Sequence, residues 1–154
     1  MAILENALQE SMNLPYPATT NQVAGMVNGV LTDVMVMNFS DRIMVTISQQ
    51  GRLAHWLHVP LGNENPGTDG MHTFAAGGEN NLLPLSGLTA TSLLGGYASG
   101  QDTVGQLLAC QIATAIATRS PAEKRLLVVG LGLGNTGSDR DSFFSIIDLV
   151  LQCI

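Results

Sequence analysis

Charge is the first thing this chain lacks. Of its 154 residues only 12% are Asp, Glu, Lys or Arg, about half of the usual share, whereas 45% are hydrophobic. A chain of this length suits one domain and can bury a sizeable core without disulfide bonds. Because so few charges are available to cover its surface, we expect a partner protein to cover part of its apolar surface.

Basic residues are scarce, and the formal net charge is -6. Phosphate binding needs clustered Lys and Arg, but the cations here are scattered along the chain: Arg42, Arg52, Arg119, Lys124, Arg125 and Arg140. The charge pattern therefore argues against nucleic acid as a partner. For the same reason it argues against an anionic membrane surface.

Targeting signals and a cysteine framework are also missing. The first residues include Glu5 and Glu10 but no basic run, which argues against a signal peptide. No apolar stretch approaches the roughly 20 residues of a membrane span. Cys110 and Cys153 are far apart, and each lies in a helical pattern that predicts a buried free thiol. We therefore expect an intracellular protein, located in the cytoplasm and with the nucleus as a second compartment.

The first half of the chain predicts strands. Residues 1–19 predict a loose arm or a short docked helix, because apolar residues recur at helical spacing until Pro15 breaks the pattern. An antiparallel meander of about four strands follows, with Asn28-Gly29 as its strongest hairpin signal, at residues 23–27, 30–39, 43–48 and 53–59. Residues 60–86 are rich in Gly and Asn and predict a long functional or disordered loop, with composition slightly favouring disorder.

The second half predicts a strand, a helix, a strand and a helix. Residues 89–94 and 126–133 have strand patterns, and the second of these predicts a buried strand. Thr103 and Gln106 form a capping-box pattern ahead of the first helix, and residues 138–141 form another capping pattern ahead of the last. An apolar stripe predicts the buried side of the first helix: Val104, Leu107, Leu108, Ile112, Ala115 and Ile116. A second side of small residues permits close approach to a sheet: Ala109, Ala113 and Ala117. The order of elements predicts a single α+β domain over residues 20–154, with an antiparallel sheet and two C-terminal helices.

One glycine-rich motif resembles a dinucleotide-binding loop. Gly132-Leu133-Gly134-Asn135-Thr136-Gly137 follows a predicted strand and precedes a predicted helix. Against that function, no strand can follow before Ile154, and no acidic residue stands about 20 positions downstream to bind a ribose. Asp139 and Asp141 would also repel a phosphate, but they suit the positive end of the helix dipole. The alternative is a glycine-containing strand packed closely under a helix and followed by a loop.

No other pattern predicts catalysis, a metal site or a cofactor. Strand alternation sends His55 and His58 to opposite faces, and His72 lies in the predicted loop. Neither cysteine has a second ligand at metal spacing, and the chain contains no Gly-x-Ser-x-Gly elbow. We therefore expect a protein that binds another protein and is not an enzyme.

Methionine is concentrated in the predicted meander. Met35 and Met37 share one strand face with Leu31, and Met44 lies in the next strand. Methionine is common at adaptable apolar contact surfaces, although an ordinary hydrophobic core would also account for it. We therefore predict that Met35, Met37, Met44 and Trp56 lie in the core or in a partner interface. The edge strand of the meander offers a second mode of binding, by pairing with the edge of a partner sheet.

Two segments carry a family resemblance. Residues 29–34 (GVLTDV) and 39–52 (FSDRIMVTISQQGR) resemble the N-terminal half of the proteasome assembly chaperone 3 family, in its fungal form. A later segment, residues 88–95 (LTATSLLG), and the predicted elements after it follow in the family's order. The likeness covers roughly residues 20–154 without the long loop, and it rests on the ordered set of segments.

This resemblance implies a stoichiometric chaperone without a cofactor. Members of the family form a heterodimer with a related small protein, assembly chaperone 4. The pair holds a proteasome α-type subunit, expected in this family to be the α5 subunit, while the seven-membered α ring of the 20S core particle assembles. Complementary surfaces would favour correct neighbours, and steric conflict with later components would force release. A homodimer in isolation is compatible with the same implication.

Three alternatives remain open. Residues 91–95 also resemble a segment of assembly chaperone 4, so the chain could be that paralogue, although residues 28–52 favour chaperone 3. A trafficking scaffold of similar α+β composition is the second alternative. The least favoured is a nucleotide-dependent enzyme, which predicts a dinucleotide affinity that Gly134→Asp would abolish.

Overall fold

The computed structural model describes residues 18–62, 87–96, 101–134 and 139–154. These residues form six strands and two helices: β1 (Thr19–Val27), β2 (Val30–Asn38), β3 (Arg42–Gln49), β4 (His55–Pro60), β5 (Thr91–Leu94), α1 (Gln101–Arg119), β6 (Leu126–Gly132) and α2 (Arg140–Leu151). The predicted α+β class is confirmed. Residues 1–17 of the predicted arm and residues 63–86 of the predicted loop lie outside the described residues, and β1 already begins at Thr19.

The strands lie in the order β1-β2-β3-β6-β4-β5. All neighbours are antiparallel except β3 and β6, which are parallel. The predicted four-stranded meander is therefore correct for β1 to β3 but wrong for β4, because β6 lies between β3 and β4. The physical reason is composition: β6 reads LLVVGLG and has no polar side chain to give to water, which favours a central position in a sheet.

Tight turns set the register of the meander. Asn28 and Gly29 both have positive φ, 49° and 77°, as the predicted two-residue hairpin turn requires. The turn places Val27 opposite Val30, and the pairing continues along both strands. A register fixed in this way determines which side chains of β1 and β2 share a face.

Both helices pack on one face of the sheet. α1 contacts β4, β5 and β6, whereas α2 contacts β1, β2 and α1. Alternate residues of β2, β3 and β4 point to this helix side. Those of β3 and β4 are all buried, and so are Thr32, Val34 and Val36 of β2. The fully buried larger side chains come from both layers: Val27, Val34, Val36, Val45, Ile47, Leu57, Val59, Leu108, Ile112, Leu127, Val129 and Ile146. At Gly25 the approach is close, since a Cβ there would lie 2.7 Å from Leu149 of α2.

Neither predicted capping pattern starts its helix. α1 begins at Gln101, so Thr103 lies inside it, and Gln106 donates a hydrogen bond of 3.0 Å to the Asp102 carboxylate. Contacts of Asp102 with the sheet, described below, hold this end of α1. α2 has Asp139 as its N-cap residue, and no side-chain capping bond forms there.

The apolar stripe of α1 is partly different from the prediction. Leu108, Ile112 and Ile116 are buried as expected, but Leu107 is 48% exposed. Ala109 and Ala113 are completely buried, as predicted for the small-residue side of this helix, because small side chains let the helix approach the sheet closely. The predicted apolar stripe is therefore wrong at Leu107, whereas the predicted small-residue side is correct at Ala109 and Ala113.

Candidate partner-binding face

The strand residues that point away from both helices form one surface, which we call the open face. No described element packs on it. Its members include Met26, Leu31, Asp33, Met35, Met37, Met44, Thr46, Ser48, Trp56, His58, Val128 and Gly130. These positions alternate with the buried positions of the same strands, so the open face follows directly from the pleat of the sheet.

The strand register brings the four predicted interface residues into two neighbouring rows. Met37 lies opposite Met44, and Met44 lies opposite Val128. Met35 lies opposite Thr46 in the adjacent row. That second row continues through Gly130 to Trp56. The four side chains thus belong to one surface although they come from three strands.

Trp56 owes its position to a glycine. A Cβ at Gly130 would lie only 2.8 Å from atoms of the Trp56 ring, so the indole rests against the backbone of β6. Trp56 and the three methionines are all half-buried. None of them belongs to the core between the sheet and the helices, which was one of the two predicted locations. Their role in a partner interface stays a prediction.

More apolar residues extend the same surface. Met26 is 64% exposed and Leu31, its neighbour across the β1–β2 hairpin, is 56% exposed. On the other side of the sheet, Leu94 lies opposite Trp56 and is 63% exposed. The sequence analysis missed Leu94 and also Val128, because residues 126–133 were interpreted as a strand buried on both faces. The pairing of β5 with β4 has no signal in the sequence.

A Ser–His–Asp group lies on the helix side of the sheet. Nε2 of His55 lies 3.0 Å from Oγ of Ser92 and 3.4 Å from Oδ1 of Asp102. The Ser92 hydroxyl donates a hydrogen bond to Oδ1 of Asp102, with 2.5 Å between the two oxygens. In a catalytic triad the aspartate binds Nδ1 while Nε2 faces the serine. Here one nitrogen faces both partners, so the arrangement differs from a triad and fastens the start of α1 to β4 and β5.

His55 and His58 of β4 lie on opposite faces of the sheet, as predicted. His55 is buried against α1, where a Cβ at Gly105 would lie 2.6 Å from its ring, whereas His58 lies on the open face. Within the described ranges no group of three or more His, Cys, Asp or Glu could hold a metal ion. His72 lies outside the described residues.

The described part of the glycine-rich motif contacts the chain itself. The strand that contains Gly130 and Gly132 packs against α1, as the alternative to a nucleotide site predicted, although both glycines point away from the helices. A Cβ at Gly132 would lie 1.5 Å from the carbonyl oxygen of Arg52. The amide of Gly134 donates to Oε1 of Gln49 at 3.1 Å, so this amide already has an acceptor within the protein. Residues 135–137 of the motif lie outside the described residues.

The two cysteines have different environments. Both are free, Cys153 is buried and Cys110 is half-buried, so the predicted buried thiol is confirmed only for Cys153. Burial raises the pKa of the Cys153 thiol. The Cys110 thiol lies 3.6 Å from the carbonyl oxygen of Leu88.

Neither helix in the described ranges is long and apolar enough to cross a membrane.

A half-buried ion pair joins two connections at one end of the sheet. Nη2 of Arg125 lies 2.8 Å from Oε2 of Glu123, and Nη1 donates to the carbonyl oxygen of Phe39 at 2.6 Å. The guanidinium therefore ties the α1–β6 connection to the β2–β3 turn. Its hydrogen bonds to Glu123 lower the pKa of that carboxyl from 4.5 to about 2.

The ion pair predicts a specific acid sensitivity. Because folding lowers the pKa of Glu123, its contribution is complete above pH 4.5 and is lost as the pH falls towards 2. We expect the difference in unfolding free energy between the wild type and Glu123→Gln to shrink by on the order of 3 kcal/mol from pH 5 to pH 2. Urea unfolding of both proteins at each pH measures it. If the difference between the two unfolding free energies is the same at pH 5 and pH 2, the ion pair with Arg125 does not stabilise the ionised Glu123 carboxylate in the folded protein.

Comparison with known proteins gives a likeness in fold to a chaperone of proteasome assembly. No protein-family model matches the chain, and no curated protein does. One chain from the crystal structure of a chaperone complex for yeast 20S proteasome assembly superposes with a TM-score of 0.53 and 16% sequence identity. The match covers 88% of this chain and 95% of that chain. At this identity the likeness shows a shared fold, and it extends over nearly the whole of both chains.

Proposed function

We propose that this protein is a proteasome assembly chaperone that acts by binding and not by turnover. The observation that carries the proposal is the shared fold with a chain of the yeast chaperone complex, which spans most of both proteins. The resemblance of residues 29–34 and 39–52 to assembly chaperone 3 supports the same function independently. These segments form the first part of β2, the β2–β3 turn, β3 and the start of the β3–β4 connection, and they contribute five residues to the open face: Leu31, Asp33, Met44, Thr46 and Ser48.

The open face is the proposed surface for a related small chaperone of the assembly chaperone 4 type. Its apolar side chains are half-buried or exposed in the isolated chain, and methionines adapt their shape to a partner. Two sheets can stack face to face about 10 Å apart when each offers such a layer of side chains. Met35, Met37, Met44 and Trp56 would then fill the centre of a heterodimer interface.

The heterodimer would hold a proteasome α-type subunit, with the α5 subunit as the family expectation. Binding one α subunit would promote assembly of the α ring by presenting correct neighbours to it. Release would follow when later components of the 20S core particle occupy the same space. We place this activity in the cytoplasm, and also in the nucleus.

Affinity purification from the organism's own cells tests this function. We expect the tagged chain to recover a second small chaperone together with proteasome α subunits and without mature β subunits. Met37→Asp should abolish recovery of the small chaperone, since it places an uncompensated charge in the centre of the interface. The matched control is Leu107→Asp, which makes the same kind of change at an exposed position of α1 and should leave recovery unchanged.

Other outcomes have clear meanings. Wild-type recovery of neither a small chaperone nor α subunits would contradict the proposed function. Recovery of membrane-tethering proteins instead would favour the trafficking scaffold. Equal losses in Met37→Asp and Leu107→Asp would show that the open face has no special role.

A further inference from the structure

One acidic side chain interrupts the apolar open face. Asp33 lies in β2 between Leu31 and Met35, each two positions away along the strand and so roughly 7 Å distant. Across the sheet its neighbours are Ala24 in β1 and Ser48 in β3. The carboxylate therefore lies within the layer of side chains that a partner would cover.

The Asp33 carboxylate is unpaired among the residues that the structure describes. Within the described part of the chain, no hydrogen bond or ion pair involves its carboxylate. Arg42 of the neighbouring strand lies at the opposite end of this face, since Ser48 and not Arg42 lies opposite Asp33. Arg52 crosses the end of β6 in the row of Asp33, Ser48 and Gly132, and no ion pair joins it to Asp33 among the described residues. Arg42 is already bound by Asp41, with Nη2 2.6 Å from Oδ2, and hydrogen bonding to Arg42 lowers the pKa of Asp41.

A cleft gives a long side chain access to Asp33. Two tight turns with positive φ, Asn28-Gly29 and Gln50-Gly51, lie next to each other at the end of the meander. Between them is a cleft of about 360 Å³, lined by Gly29, Val30, Leu31, Asp33, Gln50 and Gly51. Asp33 is the only ionisable side chain in this lining. The space and the charge together suit the end of a Lys or Arg side chain.

Covering an unpaired carboxylate carries a large penalty. An ionised group that loses water without gaining a partner is strongly unfavourable, whereas a charge-assisted hydrogen bond offsets that loss. A protein that covers the open face must therefore bring a donor to Asp33 or leave that end of the face uncovered. The requirement selects among apolar partners that would otherwise fit equally well.

We propose that Asp33 is a cation-recognition subsite, and that the partner covering the open face inserts a Lys or Arg side chain into the cleft beside it. This inference rests on the proposed heterodimer and specifies its chemistry. The occupant is the related small chaperone of the proposed heterodimer, and binding of a second copy of this chain instead is an outcome of the test.

The test uses the small chaperone that co-purifies with the wild-type chain, purified separately and titrated against variants. We expect Asp33→Asn to weaken its binding by about 30-fold and Asp33→Lys by more, because the partner's cation is left buried without a counter-charge or faces a like charge. Raising the salt concentration should weaken wild-type binding more steeply than binding of Asp33→Asn. Asp148→Asn is the matched control, since Asp148 is exposed on α2, away from the open face, and this change should have no effect.

The outcomes separate this inference from the function on which it rests. If the wild type recovers a small chaperone but Asp33→Asn binds it within twofold of the wild type, the subsite is contradicted and the chaperone function stands. Recovery of only a second copy of this chain also contradicts the subsite. If nothing is recovered with the wild type, the proposed function and the subsite fall together. Thermal unfolding of Asp33→Asn alone should match the wild type, which excludes misfolding as the cause of weaker binding.

Discussion

Replacing Trp56 by alanine is expected to weaken binding of the partner chaperone by about 3 kcal/mol, a loss of roughly 150-fold in affinity. Large aromatic side chains at the centre of an interface dominate its binding energy. Trp56 has such a position on the open face, because its row continues to Gly130, Thr46 and Met35 on one side and to Leu94 on the other. Isothermal titration of the variant against the purified partner measures the change.

The geometry explains why the indole is suited to this role. Its ring rests against Gly130 and is already half-buried, so little side-chain freedom remains to be lost when a partner binds. Removing the ring also exposes the backbone of β6, which should reduce the unfolding free energy of the isolated chain, though less than a fully buried tryptophan would.

A matched control separates location from hydrophobicity. Leu107→Ala removes an exposed apolar side chain from α1, on the other side of the molecule, and should leave partner affinity unchanged. If Trp56→Ala changes neither the affinity nor the unfolding free energy, Trp56 contributes to neither partner binding nor stability, and the interface lies elsewhere. If it changes only the unfolding free energy, its role is in folding of the sheet.

The local pattern of the sequence predicted much of the fold. Alternation along β3 indicates a strand with one buried face, and Ile43, Val45 and Ile47 are buried on one face. The Asn28-Gly29 turn has the expected positive φ angles. Helix boundaries were less accurate, because the start of α1 depends on tertiary contacts of Asp102 that no local capping pattern contains.

The candidate site was predictable only strand by strand. Met35 and Met37 are two residues apart, so a shared face follows from the period of a strand. Their relation to Trp56 does not follow, because β6 lies between β3 and β4 and comes from the far end of the sequence. The cleft beside Asp33 likewise depends on two turns meeting in space. Such long-range relations have no signature in local spacing.

The long-range arrangement places a second backbone segment directly against Gly132. β4 follows β3 in sequence but is separated from it by β6, so the β3–β4 connection must cross the end of β6. The crossing is close: a Cβ at Gly132 would lie 1.5 Å from the carbonyl oxygen of Arg52 and 2.3 Å from its carbonyl carbon. Just beyond, the amide of Ala54 donates to the carbonyl oxygen of Leu131 at 2.9 Å, which fixes the connection against β6.

Gly132→Ala is therefore expected to reduce the unfolding free energy by about 3 kcal/mol or more, and the melting temperature by roughly 10 °C. The added methyl group meets backbone and not the end of a flexible side chain, so the sheet itself must move. Gly134→Ala is the matched control, since its nearest neighbour would be Oε1 of Gln49 at 3.8 Å, an ordinary contact. It should change the unfolding free energy by less than about 0.5 kcal/mol.

This pair of variants also decides what the glycine-rich motif does. If the glycines served a nucleotide, substituting either one would remove dinucleotide affinity, and Gly134→Asp would remove it most completely. If the glycines instead make room for the β3–β4 connection where it crosses β6, only the substitution at Gly132 lowers the unfolding free energy, and calorimetry detects no dinucleotide binding to the wild type. A stable Gly132→Ala protein would contradict the crossing, because no L-residue side chain fits there while the Arg52 carbonyl keeps its position.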